Sequence, residues 1–283
     1  MMIKKLWIIL LLLLAVIVIK AQNMQAPGGF DVYQKDISHG NIDTIFYFSE
    51  TVGVKRSALV YLPPSFSSKK SYPVLYLLHG IGGDEYEWLK NGTPHIILDN
   101  LYAQGKLEPM IVVMPNGRAM KDDRATGNIM DADKIGAFST FQSDLIHDLI
   151  PYVEKKYPVK PNQINRALFG LSMGGGQALN FGLGNLDTFA WVGGFSSAPN
   201  THLPENLIPN PQEVKNKLKL LWISCGDQDG LINITNRTHK YLEKHGVQHV
   251  FYIEPGGHDF KVWKNDLYMV SQLLFKNANP DKL

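Results

Sequence analysis

The chain has 283 residues, of which 45% are hydrophobic and 19% are charged, as in an ordinary globular protein. Its formal net charge of +2 is too small to indicate nucleic acid or an anionic membrane surface as a partner. About 260 residues remain beyond an N-terminal targeting segment, enough for one α/β domain with a large buried core.

The N-terminus has the pattern of a secretory signal. A short basic region precedes an apolar run of roughly fourteen residues, 6–19, which is shorter than a full membrane span. Ala21 offers a small residue at a plausible cleavage point. We therefore predict a signal peptide over residues 1–21 and an exported mature domain over 22–283, with no membrane contact after cleavage. An uncleaved membrane anchor is the alternative.

The mature domain is predicted to begin with an antiparallel hairpin. Residues 43–48 and 54–62 are rich in β-branched and aromatic side chains and flank a short turn that ends at Gly53. Beyond the hairpin, short apolar runs alternate with helical patterns. The predicted strands are 74–78, 110–114, 167–169, 190–193, 220–224 and 247–253, and the predicted helices are 95–103, 141–156, 173–183, 232–245 and 261–275.

This alternation predicts an α/β fold with a mostly parallel sheet and helices on both faces. Ligands of such sheets bind beyond the carboxyl ends of the strands. Functional residues are therefore expected directly after strands.

A candidate nucleophile follows the strand predicted at 167–169. The motif Gly170-Leu171-Ser172-Met173-Gly174 stands between this strand and a helix. Such a sharp turn exposes the serine oxygen above the sheet, and glycines allow close backbone approach. The following helix directs backbone N–H groups at developing negative charge. We predict that Ser172 is the nucleophile.

A candidate general base follows the last predicted strand. His258 lies in the Gly-rich loop Gly256-Gly257-His258, downstream of the serine, in the chain order expected of this architecture. Imidazole suits proton transfer at neutral pH. We predict that His258 takes the proton of the serine.

A carboxylate must orient the histidine, and the loop after residues 220–224 offers two. Asp229 lies deeper in this loop, just before a helix, whereas Asp227 has the position of a turn residue that binds its own backbone. We predict Asp229 as the third triad member and keep Asp227 as the alternative.

The oxyanion of an acyl-transfer intermediate needs two backbone donors. His79-Gly80-Ile81-Gly82-Gly83 follows the strand at 74–78, the position of the oxyanion loop in this architecture. We predict the main-chain N–H groups of Ile81 and Met173 as donors.

No cofactor or metal site is predicted, because no Cys/His cluster has ligand spacing. The single cysteine, Cys225, excludes an intramolecular disulfide. It ends an apolar run and is predicted to be a buried thiol at a strand end, with a reactive nucleophile as the alternative.

These motifs together resemble the esterase-D-like α/β-hydrolases of carbohydrate esterase family one, in particular the bacterial feruloyl esterases and acetylxylan esterases. The resemblance extends from about Tyr61 to Phe275. Its carriers are Tyr61-Leu62-Pro63, Leu77-Leu78-His79-Gly80-Ile81-Gly82-Gly83, Pro115-Asn116-Gly117-Arg118, Asp148-Leu149-Ile150-Pro151-Tyr152-Val153-Glu154, Gly170-Leu171-Ser172-Met173-Gly174-Gly175, Cys225-Gly226-Asp227-Gln228-Asp229-Gly230 and Gly257-His258-Asp259-Phe260-Lys261-Val262-Trp263.

The resemblance implies an α/β-hydrolase fold, the same triad and oxyanion donors, and feruloylated or acetylated xylan-derived oligosaccharides as substrates. Trp88, beyond the oxyanion loop, is a candidate for stacking on the aromatic acid or on a sugar, with a core position as the alternative. A feruloyl esterase is the first hypothesis for the activity. An acetylxylan esterase, a broad-range short-chain carboxylesterase and a non-catalytic carbohydrate-binding protein of the same fold are the others.

Overall fold

The computed structural model describes residues 25–276; the predicted signal peptide lies outside this range. Within it, one sheet of eight strands forms the centre of the molecule. The strands are β1 (Asn41–Ser49), β2 (Val54–Leu62), β3 (Val74–Leu78), β4 (Ile111–Pro115), β5 (Arg166–Leu171), β6 (Trp191–Phe195), β7 (Leu220–Gly226) and β8 (Val250–Glu254).

The strand order is β1-β2-β4-β3-β5-β6-β7-β8. β1 and β2 form the predicted antiparallel hairpin, β2 pairs antiparallel with β4, and every pair from β4 to β8 is parallel. This is the α/β-hydrolase arrangement that the resemblance implies. The parallel strands all end at one rim of the sheet, so the loops after β3, β5, β7 and β8 meet there.

Helices cover both faces of the sheet. They are α1 (Pro94–Ala103), α2 (Ala132–Ser143), α3 (Ile150–Lys156), α4 (Ser172–Gly184), α5 (Pro204–Leu207), α6 (Pro211–Lys217), α7 (Ile232–Lys244) and α8 (Phe260–Ser271). Each face buries its own apolar cluster, and side chains of β3 alternate between the two: Tyr76 and Leu78 belong to one, Leu75 and Leu77 to the other. A strand buried on both faces reads as a continuous apolar run, which is why the pattern at 74–78 predicted it.

Several helical regions differ from the predictions, among them a π-helical turn, Trp88–Gly92, that was not predicted. The helix predicted at 141–156 begins earlier, at Ala132, and passes through a π-helical stretch, Asp144–Leu149, before α3. Pro151 cannot donate a backbone hydrogen bond, so the change of helical type just before it is consistent with the missing i→i−4 contact. The short helices α5 and α6 were not predicted, because each is too short to show a helical period. No helix among residues 25–276 is long and apolar enough to span a bilayer.

Candidate active site

Ser172 occupies a strained turn at the end of β5. Its backbone has φ of 51°, a left-handed conformation that is unfavourable for residues with a Cβ atom. The turn closes only because its neighbours are small. A Cβ atom on Gly170 would collide with the carbonyl oxygen of Gly174, and one on Gly174 would collide with that of His79. The geometry holds the serine hydroxyl at the rim of the sheet.

The three predicted triad residues form one chain of hydrogen bonds. Nε2 of His258 lies 2.9 Å from Oγ of Ser172, and Nδ1 of His258 lies 2.8 Å from Oδ2 of Asp229. The side chain of Asp229 is fully buried, whereas that of His258 is 34% exposed. Ser172, at the end of β5, thus meets the loops that follow β7 and β8.

The charge of Asp229 decides which imidazole nitrogen carries the proton. Burial raises the pKa of Asp229, but hydrogen bonds from the backbone N–H of Leu231 and from His258 outweigh it, so the pKa lies below its usual value. An ionised carboxylate can only accept a hydrogen bond, so Nδ1 of His258 carries the proton. Nε2 is left free to accept the hydrogen bond of the Ser172 hydroxyl.

The alternative carboxylate has a different environment. Oδ1 of Asp227 accepts the backbone N–H of Gly256 at 3.0 Å, and its side chain lies at the surface. Asp227 thus links the loops after β7 and β8 and makes no hydrogen bond with His258. The structure places Asp229, not Asp227, beside the imidazole.

The predicted oxyanion loop lies against the nucleophile. A Cβ atom on Gly80 would be 3.6 Å from that of Ser172. The N–H of Ile81 has no hydrogen-bond partner within residues 25–276, and Met173 is the second residue of α4, where no intrahelical acceptor exists for its N–H. Both amides are therefore available to an anionic oxygen next to Ser172.

Side chains that the sequence analysis did not assign hold this loop in place. Arg118 is fully buried, and its Nη2 donates to the carbonyl oxygen of Ile81. Oε2 of Glu87 accepts the N–H of Gly80 at 2.7 Å. Nε2 of His79 accepts the N–H of Gly117 at 2.7 Å. Arg118 follows β4, and its place directly after a strand was the signal that could have marked it.

The structure corrects the suggested role of Trp88. Its side chain is only 1% exposed, its Nε1 donates to the carbonyl oxygen of Leu78 at 2.9 Å, and its ring packs edge-on against Phe195 and Phe260. Trp88 is therefore a core residue beneath the oxyanion loop, since its indole N–H is hydrogen-bonded and its ring is packed within the protein. It offers no face to a substrate.

Other candidate chemistry is not supported by the described residues. Cys225 is buried, and burial raises the pKa of its thiol to about 12, so at neutral pH it is not a thiolate. Among residues 25–276 no group of three or more His, Cys, Asp or Glu side chains is placed to hold a metal ion.

The sequence matches one family model and a relative whose name includes feruloyl esterase. Residues 49–273 match the sequence model of the Esterase family, described as "Putative esterase". The chain is 36% identical over 255 residues to an endo-1,4-beta-xylanase/feruloyl esterase of Xylanibacter ruminicola, an alignment that covers 87% of this chain and 33% of that protein. The chain therefore spans about a third of the length of this relative.

Two solved structures have the same fold as this chain. The CE1 ferulic acid esterase of Anaeromyces mucronatus in complex with ferulic acid superposes with a TM-score of 0.79 and 25% identity, covering 90% of this chain and 98% of that chain. Another ferulic acid esterase superposes with a TM-score of 0.72 and 28% identity, covering 85% and 99%.

Proposed function

Because this chain belongs to the Esterase family, we propose that it is a serine hydrolase of carboxylic esters in which Ser172, His258 and Asp229 act as the catalytic triad. The observation that carries the proposal is the continuous hydrogen-bond chain from Oγ of Ser172 to Oδ2 of Asp229. In this series of hydrogen bonds the hydroxyl of Ser172 donates to Nε2 of His258, the imidazole nitrogen that carries no proton.

The reaction follows from these positions. Oγ of Ser172 attacks the ester carbonyl while Nε2 of His258 takes the hydroxyl proton. The carbonyl oxygen becomes negative and accepts hydrogen bonds from the N–H groups of Ile81 and Met173. When the tetrahedral intermediate collapses, His258 gives its proton to the departing alcohol, and an acyl ester remains on Ser172. Water, activated by His258, then releases the acid.

Asp229 acts through the histidine. Its ionised carboxylate fixes the proton on Nδ1 and stabilises the imidazolium that forms at each transfer. The side chain of His258 is partly exposed, so the alcohol and then water can reach it. No step needs a cofactor, since nucleophile, base and oxyanion donors all come from the chain.

The favoured substrates are feruloyl esters of arabinoxylan-type polysaccharides or their oligosaccharides. Support comes from the relatives, one of which is named as a xylanase/feruloyl esterase and one of which was solved with ferulic acid. Export is part of the same proposal, because the predicted signal over residues 1–21 would bring the enzyme to such substrates. Fractionation of the source cells should find the protein outside the cytoplasm.

A panel of esters tests the activity. Purified protein should hydrolyse methyl ferulate and feruloylated oligosaccharides with higher kcat/KM than acetylated xylo-oligosaccharides or p-nitrophenyl acetate. Faster hydrolysis of the acetylated sugars would assign an acetylxylan esterase instead. Turnover of p-nitrophenyl acetate alone would leave a short-chain carboxylesterase.

A further inference from the structure

A cavity of about 250 Å³ opens at the side of the sheet, next to the hairpin. It combines one aromatic ring with cationic, anionic and hydroxyl groups. The lining residues are Phe46, Lys55, Arg56, Ser57, Asp123 and Arg124. None of them belongs to the triad or to the oxyanion loop.

The cavity lies at the same rim as Ser172. Because β2 runs antiparallel to β4, the start of β2 is beside the carboxyl end of β4, where Ala58 pairs with Pro115. Phe46 is the cross-strand partner of Ser57, one residue before Ala58. Side chains from the hairpin thus reach the edge of the sheet at which the active-site loops meet.

Hydrogen bonds link the cavity wall to the oxyanion loop. Oγ of Ser57 donates to Oε1 of the buried Glu85 at 2.7 Å. Two residues on, Glu87 accepts the N–H of Gly80, the residue that faces Ser172. The segment 80–87 therefore connects the cavity wall to the loop beside the nucleophile.

Phe46 is one of two exposed aromatic residues on β1, and of the two only Phe46 lines the cavity. Its side chain is 53% exposed although it lies on a strand, and exposing an aromatic ring to water is unfavourable. The ammonium of Lys55 lies 4.8 Å from the ring centroid and makes no ion pair within residues 25–276. Lys55 contacts the ring, but about half of Phe46 remains exposed, and the ammonium keeps hydrogen-bond donors that a ligand can use.

The two arginines of the lining are held in place before any ligand arrives. Arg124 donates to Oδ1 of Asp123 and to Oε2 of Glu85, and Arg56 donates to Oδ2 of Asp144 at 2.6 Å. The cavity therefore combines polar groups at set positions with an aromatic ring. Both arginines of the lining are already paired with carboxylates, so an anionic ligand would gain little from their charge. A neutral polyol can use the donors and acceptors of the lining together.

We infer that this cavity is a subsite for a neutral sugar of the oligosaccharide that carries the acyl group. A sugar ring would stack its C–H face on Phe46 and exchange hydroxyl hydrogen bonds with Lys55, Ser57 and Asp123. The inference rests on the proposed function, since it assigns a place to the alcohol part of the ester. It predicts selectivity for esters on oligosaccharides over esters of small alcohols.

The test compares two phenylalanines of the same strand. Phe46→Ala removes the ring in the cavity, and Phe48→Ala removes a ring that is 56% exposed but does not line it. The quantity measured is the ratio of kcat/KM for a feruloylated arabinoxylo-oligosaccharide to kcat/KM for methyl ferulate. Loss of the stacking ring should lower this ratio about five- to tenfold in Phe46→Ala, and Phe48→Ala should keep the wild-type ratio.

A binding measurement separates this inference from the esterase proposal. In the full-length protein carrying Ser172→Ala, calorimetry should detect binding of an unesterified arabinoxylo-oligosaccharide. Adding Phe46→Ala should weaken this binding. Equal ratios in all three proteins, or equal losses in both variants, would overturn the subsite while leaving the esterase intact. Failure to hydrolyse any ester while the sugar still binds would overturn the proposed function alone.

Discussion

Nε2 of His258 lies 2.9 Å from Oγ of Ser172, although 86 residues separate the two along the chain. The contact exists because β5 and β8 are parallel members of one sheet and release their following loops at the same rim. Two strands, β6 and β7, lie between them, so the loop after β8 must return across the top of the sheet. The alignment of nucleophile and base therefore depends on the whole parallel half of the sheet.

The two carboxylates of the loop after β7 should differ sharply in their effect on turnover. Asp229→Asn cannot hold the Nδ1–H tautomer of His258 and should lower kcat by about four orders of magnitude. Asp227→Asn keeps an amide oxygen that can accept the surface hydrogen bond from the N–H of Gly256, so this variant should stay within a few-fold of wild type. Steady-state kinetics on methyl ferulate decide the point, and the reverse ranking would reassign the orienting carboxylate.

Arg118 should act on kcat through the oxyanion loop. Arg118→Lys loses the fork that donates to the carbonyl oxygens of Ile81 and Asp123, so the Ile81 peptide loses its orientation. We expect kcat to fall about 10- to 100-fold with little change in KM, less than for direct loss of an oxyanion donor. Arg166→Lys is the matched control, because Arg166 is also buried and donates to a carbonyl oxygen, but at the opposite end of β5.

The comparison should be made on proteins with measured melting temperatures. If both variants are destabilised equally and only Arg118→Lys loses kcat, the positioning role stands. A loss confined to KM, or an equal loss of kcat in Arg166→Lys, would contradict it.

Trp88 should contribute to stability and not to substrate affinity. Trp88→Phe removes the hydrogen bond to the carbonyl oxygen of Leu78 and leaves a small void, so the free energy of unfolding should fall by about 1–3 kcal/mol. Urea unfolding measures this loss, and KM for methyl ferulate should remain within about twofold of wild type. Unchanged stability with a raised KM for feruloyl esters alone would restore the substrate-stacking role.

Glu254, at the end of β8, should make the protein less stable as pH rises. Burial raises the pKa of Glu254 from its reference value of 4.5 to about 7. The charge of Asp259 also raises this pKa, whereas the hydrogen bond from Asn265 lowers it. Between these two pH values the folded protein retains a proton that the unfolded chain has released. The free energy of unfolding therefore falls with increasing pH across this window.

Glu254→Gln is neutral throughout the window and should flatten the slope. It should not remove it, because the buried Asp266 nearby also has a raised pKa and contributes with the same sign. Asp229, whose pKa is lowered, loses its stabilising effect only at more acidic pH. The melting temperatures of the wild type and of Glu254→Gln should be measured at pH 5 and at pH 8. An identical change in melting temperature in the two proteins would show that Glu254 is ionised in the folded state.

Much of this architecture could be predicted because buried parallel strands leave a plain signal. A continuous apolar run such as Val74–Leu78 is too short for a typical helix and too uniformly apolar for a strand with one solvated face. Ser172, His258 and Asp229 each follow a strand in the expected order. The choice of Asp229 over Asp227 could also be argued, since only the deeper residue can turn inward before α7 begins.

The errors and omissions concern side-chain environments. Trp88 was offered as a binding residue because a sequence does not show whether a ring beside a loop points into the core or out of it. Arg118 was not assigned, because its contact with Ile81 joins loops 37 residues apart. The cavity at Phe46 depends on cross-strand register and on a loop that follows another strand, and neither is visible in local patterns.

The most direct test of the triad is covalent labelling by a fluorophosphonate probe, which reacts with an activated serine. The wild-type protein should be labelled on the peptide that contains Ser172, and Ser172→Ala should lose all labelling while its melting temperature and circular dichroism stay close to wild type. Labelling that persists in Ser172→Ala, or a folded wild-type protein that does not react, would contradict the proposed triad.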